Sequence, residues 1–316
     1  ESFRYLSRSD VEAVGLSGTE VIEILEGAFR AKRAGDVEMP PKIGVHPRED
    51  AFIHAMPAYL SDSDAVGLKW VAGYPGNQPL GIPYIHGLLV LSDAGTGRPL
   101  AVMDATWITE LRTAAASMLG IGALAGGAVE SIGIIGCGRQ GHVHLELAEQ
   151  VLPTLQRVAL FDRHPERAEA LAAAHPELEA RVVSAAEEIG PGADVVVSSA
   201  AIVRSPERPL RRVHLKDAMV ACAVDFDATL SEDLFEDAGL FVVDDLAQYR
   251  YYRQQGYFAG YPPEATELAD VLADGAPRSR GLSVYVPLGI ALEDVAVAAE
   301  VNRRAANAGL GRELPL

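Results

Sequence analysis

The segment Ile132-Gly133-Ile134-Ile135-Gly136-Cys137-Gly138-Arg139-Gln140-Gly141 constrains the fold more than any other stretch of the chain. An apolar strand runs straight into G-x-G-x-x-G, and residues 140–151 then carry helical spacing. The first glycine permits a tight turn, the second lets the backbone approach a pyrophosphate, and the third lets helix and strand pack closely. The helix N-terminus offers unpaired N–H groups and the positive end of its dipole to phosphates. The next predicted strand ends at Asp162, 21 residues beyond Gly141, where a carboxylate accepts hydrogen bonds from an adenine ribose. Gly136, Gly138, Arg139, Gln140, Gly141 and Asp162 are therefore the expected cofactor-binding residues. Asp162 favours NAD because a carboxylate repels a 2′-phosphate; Arg163 partly offsets that, so NADP stays open.

The surroundings fit an α/β fold. Predicted strands at 131–135, 157–161, 194–199, 218–223 and 240–243 alternate with helices such as 140–151 and 165–174, as in a doubly wound parallel sheet covered on both faces. Up to residue 112 the pattern differs. Ser9-Asp10 is read as a helix cap, and 17–34 as an amphipathic helix. Short strands at 51–55, 65–72, 86–92 and 100–104 between turn residues predict a mixed or antiparallel sheet. The Ala-rich segment 113–127 reads as a helix joining the two regions, and 288–308 as a periodic final helix.

Composition narrows the function classes. A chain of 316 residues has room for about two domains. The net charge of −17 disfavours a nucleic-acid partner. No apolar run is long enough to span a bilayer, and the first residues carry no signal-peptide pattern. Cys137 and Cys222 form no disulfide framework, though a bridge between them stays open. The expectation is a soluble, reduced, cytoplasmic protein. With 4 Lys against 23 Arg, each lysine merits individual inspection.

Three further pieces stand out: Met56-Pro57-Ala58-Tyr59, Gly67-Leu68-Lys69-Trp70, and Asp104-Ala105-Thr106-Trp107-Ile108-Thr109-Glu110-Leu111-Arg112-Thr113-Ala114-Ala115-Ala116. With the glycine loop and Gly289-Ile290-Ala291-Leu292-Glu293-Asp294, they resemble the ornithine cyclodeaminase and mu-crystallin family over nearly the whole chain. That family includes amino-acid dehydrogenases and ketimine reductases. The resemblance implies a homodimer, with a Rossmann domain (113–287) inserted into an α+β substrate-binding and dimerisation domain (1–112 plus 288–316). It implies catalytic roles for Lys69 and Asp225. It places Lys42, Lys69, Arg112 and Met56 at the substrate, and Arg112, Thr113 and Ser199 beside the glycine loop at the cofactor.

Each role has a physical rationale. A partly desolvated ammonium at Lys69 polarises an imine or carboxylate. Arg112, just ahead of the Ala-rich helix, suits bidentate pairing with an α-carboxylate, an interdomain ion pair being the alternative. Thr113 is read as a helix cap or phosphate contact. Lys42 stands where the family usually has Arg, keeping the charge but losing the planar fork. Asp225 follows a strand where the family has an acid, but its flanking Gly and Pro are missing and Asp227 competes. The expected task of the acid is to take a proton from the substrate amine. Ser198 is a weaker candidate beside Ser199, and Leu288 stands where the family often has Ser.

No metal site is expected. His142-x-His144 puts its two rings on different faces of a helix. One of His46, His54 and His86 is a possible pocket residue. The tyrosine-rich stretch 249–261 reads as interdomain packing before a lid, and Cys137 as a small filler. Three functions remain. One is an amino-acid dehydrogenase or imine reductase. Another is ornithine cyclodeaminase, an ammonia lyase forming proline with catalytic NAD. The last is a non-enzymatic, crystallin-like NAD(P)-binding protein.

Overall fold

The computed structural model describes residues 1–276 and 281–316. In chain order come β1 (Ser2–Leu6), α1 (Arg8–Ala13), α2 (Gly18–Ala34), β2 (Val37–Glu38), β3 (Ile43–Val45), β4 (Phe52–Leu60), β5 (Ala65–Gly73), β6 (Ile85–Asp93), β7 (Pro99–Asp104) and α3 (Thr106–Leu124). Next are β8 (Ser131–Ile135), α4 (Arg139–Val151), β9 (Arg157–Phe161), α5 (Pro165–Ala174), β10 (Glu179–Val182), β11 (Val195–Ser198), β12 (Val220–Ala223) and β13 (Leu240–Val243). The chain ends with α6 (Leu246–Gln254), β14 (Thr266–Glu267), α7 (Leu268–Asp274), β15 (Ser283–Val286), α8 (Ala291–Ala308) and β16 (Arg312–Pro315). It divides into two units, Glu1–Arg112 with Gly289–Leu316, and Thr113–Leu288. Among the described residues no helix is long and apolar enough to cross a membrane.

The first unit holds a sheet in the order β16-β1-β7-β6-β5-β4-β2, with β3 also beside β4. All its pairings are antiparallel except β1 with β7. The strand expected at 51–55 continues to Leu60. Pro57 falls between the stretches of β4 paired by β2 and by β3, a break where a residue without an N–H fits. Alternation directs Met56, Lys69, Leu89 and Met103 into one row across β4 to β7, all on the buried face. α8 lies against β4, β5 and β6 on that face. Gly67 makes the approach possible: a Cβ there would come within 3.2 Å of Val295 Cγ2 and 2.8 Å of Val90 O.

Several boundaries differ from the sequence reading. The cap of α1 is Ser7, not Ser9; Asp10 is its capping-box partner. Asp104 accepts from the N–H groups of Thr106 and Trp107 and so starts α3 well before residue 113. Arg112 and Thr113 consequently lie inside the helix, and Thr113 caps nothing. α8 begins at Ala291 rather than 288, after Gly289 adopts a left-handed φ of 69°.

The second unit holds an all-parallel sheet, β10-β9-β8-β11-β12-β15-β13-β14. Every residue of β8, β11, β12 and β15 is buried, as a sheet covered on both faces requires. β9 and β11 flank β8 on opposite sides, so the strand order reverses at the end of β8, where ligands bind in such sheets. β10, β14 and β15 are absent from the sequence reading. β10 is a fully exposed edge strand, Glu-Ala-Arg-Val, with no apolar run to reveal it. The tyrosine stretch 249–261 contributes to the core of this unit. Tyr249, Tyr252 and Tyr261 are buried in this unit's own core with Phe226 and Phe258.

Candidate active site

In the first unit four ionisable side chains share one buried place. Lys69, on the inner face of β5, is 1% exposed, and its Nζ lies 2.7 Å from Asp294 Oδ2 and 3.4 Å from Thr109 Oγ1. Arg112 stands one turn after Thr109 on the same face of α3. Its Nε donates to Asp294 Oδ1 (2.9 Å) and its Nη1 to Glu293 Oε2 (2.8 Å). Both acids sit in the first turn of α8, where the helix dipole favours negative charge. The sequence reading gave Glu293 and Asp294 no role. The available signal is that Asp294 falls on the same stripe as Ala298 and Val301 of an otherwise apolar face.

The cations around this cluster hold one another in check. Burial, then the neighbouring Arg112, lowers the Lys69 ammonium to about 8, against the pull of Asp294. Lys42 is buried and donates to the Gly289 carbonyl (3.0 Å). A Cβ on Gly289 would meet Arg112 Nη1 at 2.8 Å, so that turn needs glycine. Met56 is the cross-strand neighbour of Lys69. His54 lies on the same face of β4 as Met56; burial, with Lys42, His46 and Lys69 nearby, lowers its pKa to about 2 and keeps the ring neutral.

The second unit carries the glycine loop. Gly136 has a φ of 90°, and a Cβ on it would lie 2.7 Å from Ser199 O. A Cβ on Gly141 would overlap the Gly136 carbonyl oxygen. Packing alone thus requires glycine at both positions. Gly138 is different: a Cβ there would meet no atom within 4 Å. It is the N-cap of α4 and provides no side-chain cap, leaving the first N–H groups of the helix for another acceptor. Arg139 is exposed and Gln140 half-buried beside it. The Asp162 carboxylate accepts from Cys137 N and His164 N (2.8 Å each), so it also ties β9 to the loop. Ser199 Oγ donates to the Gly136 carbonyl (2.9 Å) and braces the turn from β11.

Asp225 is 1% exposed. It accepts from Ser198 Oγ (2.8 Å), Thr229 Oγ1 (2.6 Å) and Ala200 N (3.1 Å). Burial nevertheless raises its pKa. Asp227 pairs with Arg208 and accepts from Phe258 N (2.9 Å). Arg208, Phe226 and Phe258 all have left-handed φ, so Asp227 ties together three segments that each carry a strained residue. Thr113 is buried, and its carbonyl accepts from Ser117 Oγ (3.0 Å). His144 is a packing residue: its Nδ1–H donates to Gln140 O, and its Nε2 lies 2.9 Å from Ser117 Oγ, whose one hydroxyl proton is shared between this ring and the Thr113 carbonyl. Burial lowers it to about 4. Cys137 and Cys222 are unbonded, and burial raises both thiols to about 12.

The parallel sheet, the glycine loop and the acid ending β9 define a protein of the Rossmann type. The profile of the ornithine cyclodeaminase/mu-crystallin family matches residues 4–309, and the chain belongs to that family. It is 34% identical to the nodulation efficiency protein NfeD of Rhizobium meliloti, over 98% of this chain and 97% of that one. Among solved structures it resembles an archaeal alanine dehydrogenase dimer with bound NAD, with a TM-score of 0.88 and 29% identity over 100% of both chains. It also resembles the Δ1-pyrroline-2-carboxylate reductase of Thermococcus litoralis in complex with NADH and L-proline, with a TM-score of 0.86 and 28% identity over 99% of this chain and 100% of that one.

Proposed function

We propose that the protein is an NAD(P)-dependent oxidoreductase acting on the C–N bond of a small L-amino acid or cyclic imino acid. The buried pair Lys69 and Arg112, held by two acids at one helix start, carries this reading. A desolvated cation pair of this kind suits a carboxylate, with Lys42 and Met56 beside it. Gly136, Gly138, Arg139, Gln140, Gly141 and Asp162, with Thr113, Ser199 and Arg112 supporting, would hold the dinucleotide, which would supply hydride chemistry for a C–N bond. Lys69 polarises the imine or its carboxylate. Asp225 takes a proton from the amine. Burial raises its proton affinity, which suits a group that takes up a proton.

A panel of alanine, ornithine, lysine and small cyclic imines, with both cofactors, tests the reading. Net change at the reduced-nicotinamide absorbance in proportion to substrate consumed supports it. Ammonia release from ornithine without net change replaces it by cyclodeamination. NAD binding with no turnover replaces it by a binding protein. Asp162→Asn keeps an acceptor for Cys137 N but removes the charge. It should relax discrimination against NADP by about fivefold, from a Coulomb term of about 1 kcal/mol. An unchanged NAD-to-NADP affinity ratio in fluorescence titration would contradict that role.

We further propose a homodimer through the outer face of the first unit's sheet. Leu68, Trp70 and Leu88 are 37%, 49% and 47% exposed there, and Trp70 and Leu88 are cross-strand neighbours. Such a contiguous apolar face suits a second copy, and the archaeal alanine dehydrogenase is a dimer. Trp70→Asp should convert the dimer to a monomer in sedimentation analysis; an unaltered dimer would place the interface elsewhere. We place the protein in the cytoplasm, a location compatible with its two unbonded thiols.

A further inference from the structure

The two carboxylates at the start of α8 are not equally satisfied. Asp294 sets one oxygen 2.7 Å from the Lys69 ammonium, an ion pair without hydrogen-bond geometry, and accepts from Arg112 with the other (2.9 Å). Glu293 reaches Arg112 with Oε2 (2.8 Å), while its Oε1 is buried and has no hydrogen-bond partner. The residue is 0% exposed. An ionised oxygen without a donor is costly there, and a proton on the carboxyl removes that cost. Glu293 is faced by Arg112 from α3, Lys69 from β5 and Lys42 from the turn before β3, with Asp294 beside it on α8. Burial dominates, opposed first by Arg112 and reinforced by Asp294, and the carboxyl is pushed up to about 7.

The protonation state of Glu293 decides what a substrate carboxylate meets. When it is ionised, Lys69, Arg112, Glu293 and Asp294 cancel in charge. When it is protonated, they carry a net positive charge. We propose that Glu293 is the charge compensator of the substrate site, taking a proton from solvent as a carboxylate settles on Lys69 and Arg112 and releasing it when the carboxylate leaves. The inference rests on the carboxylate-binding role proposed for those two cations. Only the O–H bond of Glu293 forms and breaks. Glu293 is then a positioning residue: its ionised form competes with the ligand for Arg112 and its neutral form does not.

Calorimetric titration with L-proline, in two buffers of different ionisation enthalpy at about pH 7, counts the protons taken up. The wild type should take up about half a proton per protomer, as a group titrating near that pH does when held protonated. Lys69, lowered only to about 8, is already mostly charged there and contributes little. Glu293→Gln should bind L-proline with an affinity that no longer falls as pH rises from about 6 to about 8, and its proton uptake should drop by that half. Infrared difference spectra of the wild type alone, with and without L-proline, should show a carboxylic-acid C=O band gained on binding, whether or not the variant folds. Proton uptake unchanged in Glu293→Gln, or binding with no new acid band, would overturn the proposal and leave the carboxylate reading intact. No L-proline binding at any of these pH values would remove both.

Discussion

Lys69→Met is expected to lower turnover by about 10²–10⁴-fold, the range for losing a positioned acid–base group, while NAD affinity in fluorescence titration stays near that of the wild type. The glycine loop belongs to the other unit. The same substitution should also destabilise the protein. Asp294 Oδ2 lies 2.7 Å from the Lys69 ammonium, and removing that cation strands a buried carboxylate oxygen. Breaking one partner of a buried pair typically costs about 3–5 kcal/mol. Stability and chemistry can be separated. Adding Asp294→Asn to Lys69→Met removes the stranded charge and should recover most of the lost stability, because a neutral pair in a buried site is tolerated. Turnover should stay lost. A double variant that regains activity, or a single variant that loses NAD affinity equally, would contradict the assignment of Lys69.

Gly141→Ala is expected to weaken NAD binding by roughly 10- to 100-fold, with thermal unfolding of the first unit unaffected. The added methyl would collide with the carbonyl oxygen of Gly136, a backbone atom that cannot rotate away. Overpacking of this kind costs about 1–3 kcal/mol. The strain falls on the turn that Ser199 and Asp162 brace, so the helix N-terminus and the loop N–H groups lose their common aim. Gly138→Ala is the control. Its methyl meets no protein atom within 4 Å, so any loss of affinity there reports the ligand's own approach. If Gly141→Ala binds NAD as tightly as the wild type, the loop is a tight strand-to-helix turn and no more.

Glu293→Gln differs from both in its signature, since it alters pH dependence more than rate. The folded protein holds the Glu293 proton up to about 7, above the ordinary carboxyl value of 4.5. Glu293 therefore lowers stability as pH rises from the unfolded value to the folded one, and no further above it.

Local sequence was enough for some of this architecture. β8, the glycines and Asp162 lie within one short stretch, and their order along the chain is their order in space. Lys69 is conspicuous because lysine is rare here, and because alternation in β5 predicts a buried face on which a charge is out of place. Helix starts were less legible. Asp104 caps α3 through bonds from two backbone N–H groups, ahead of the Ala-rich run that carries the stronger local helix signal.

What the sequence by itself determined is the pair of sheets, the dinucleotide-type turn and the family, because each is written in short-range periodicity or in motif spacing. Only the tertiary structure decided that Glu293 and Asp294, 181 and 182 residues beyond Arg112, become its partners. It also decided that Asp162, Ser199 and Asp225 use hydrogen-bonding capacity on the backbone of loops after neighbouring strands. The reason is burial: a charged side chain removed from water must find its counter-charge wherever the packing brings one, and no local pattern encodes a neighbour supplied by the far end of the chain.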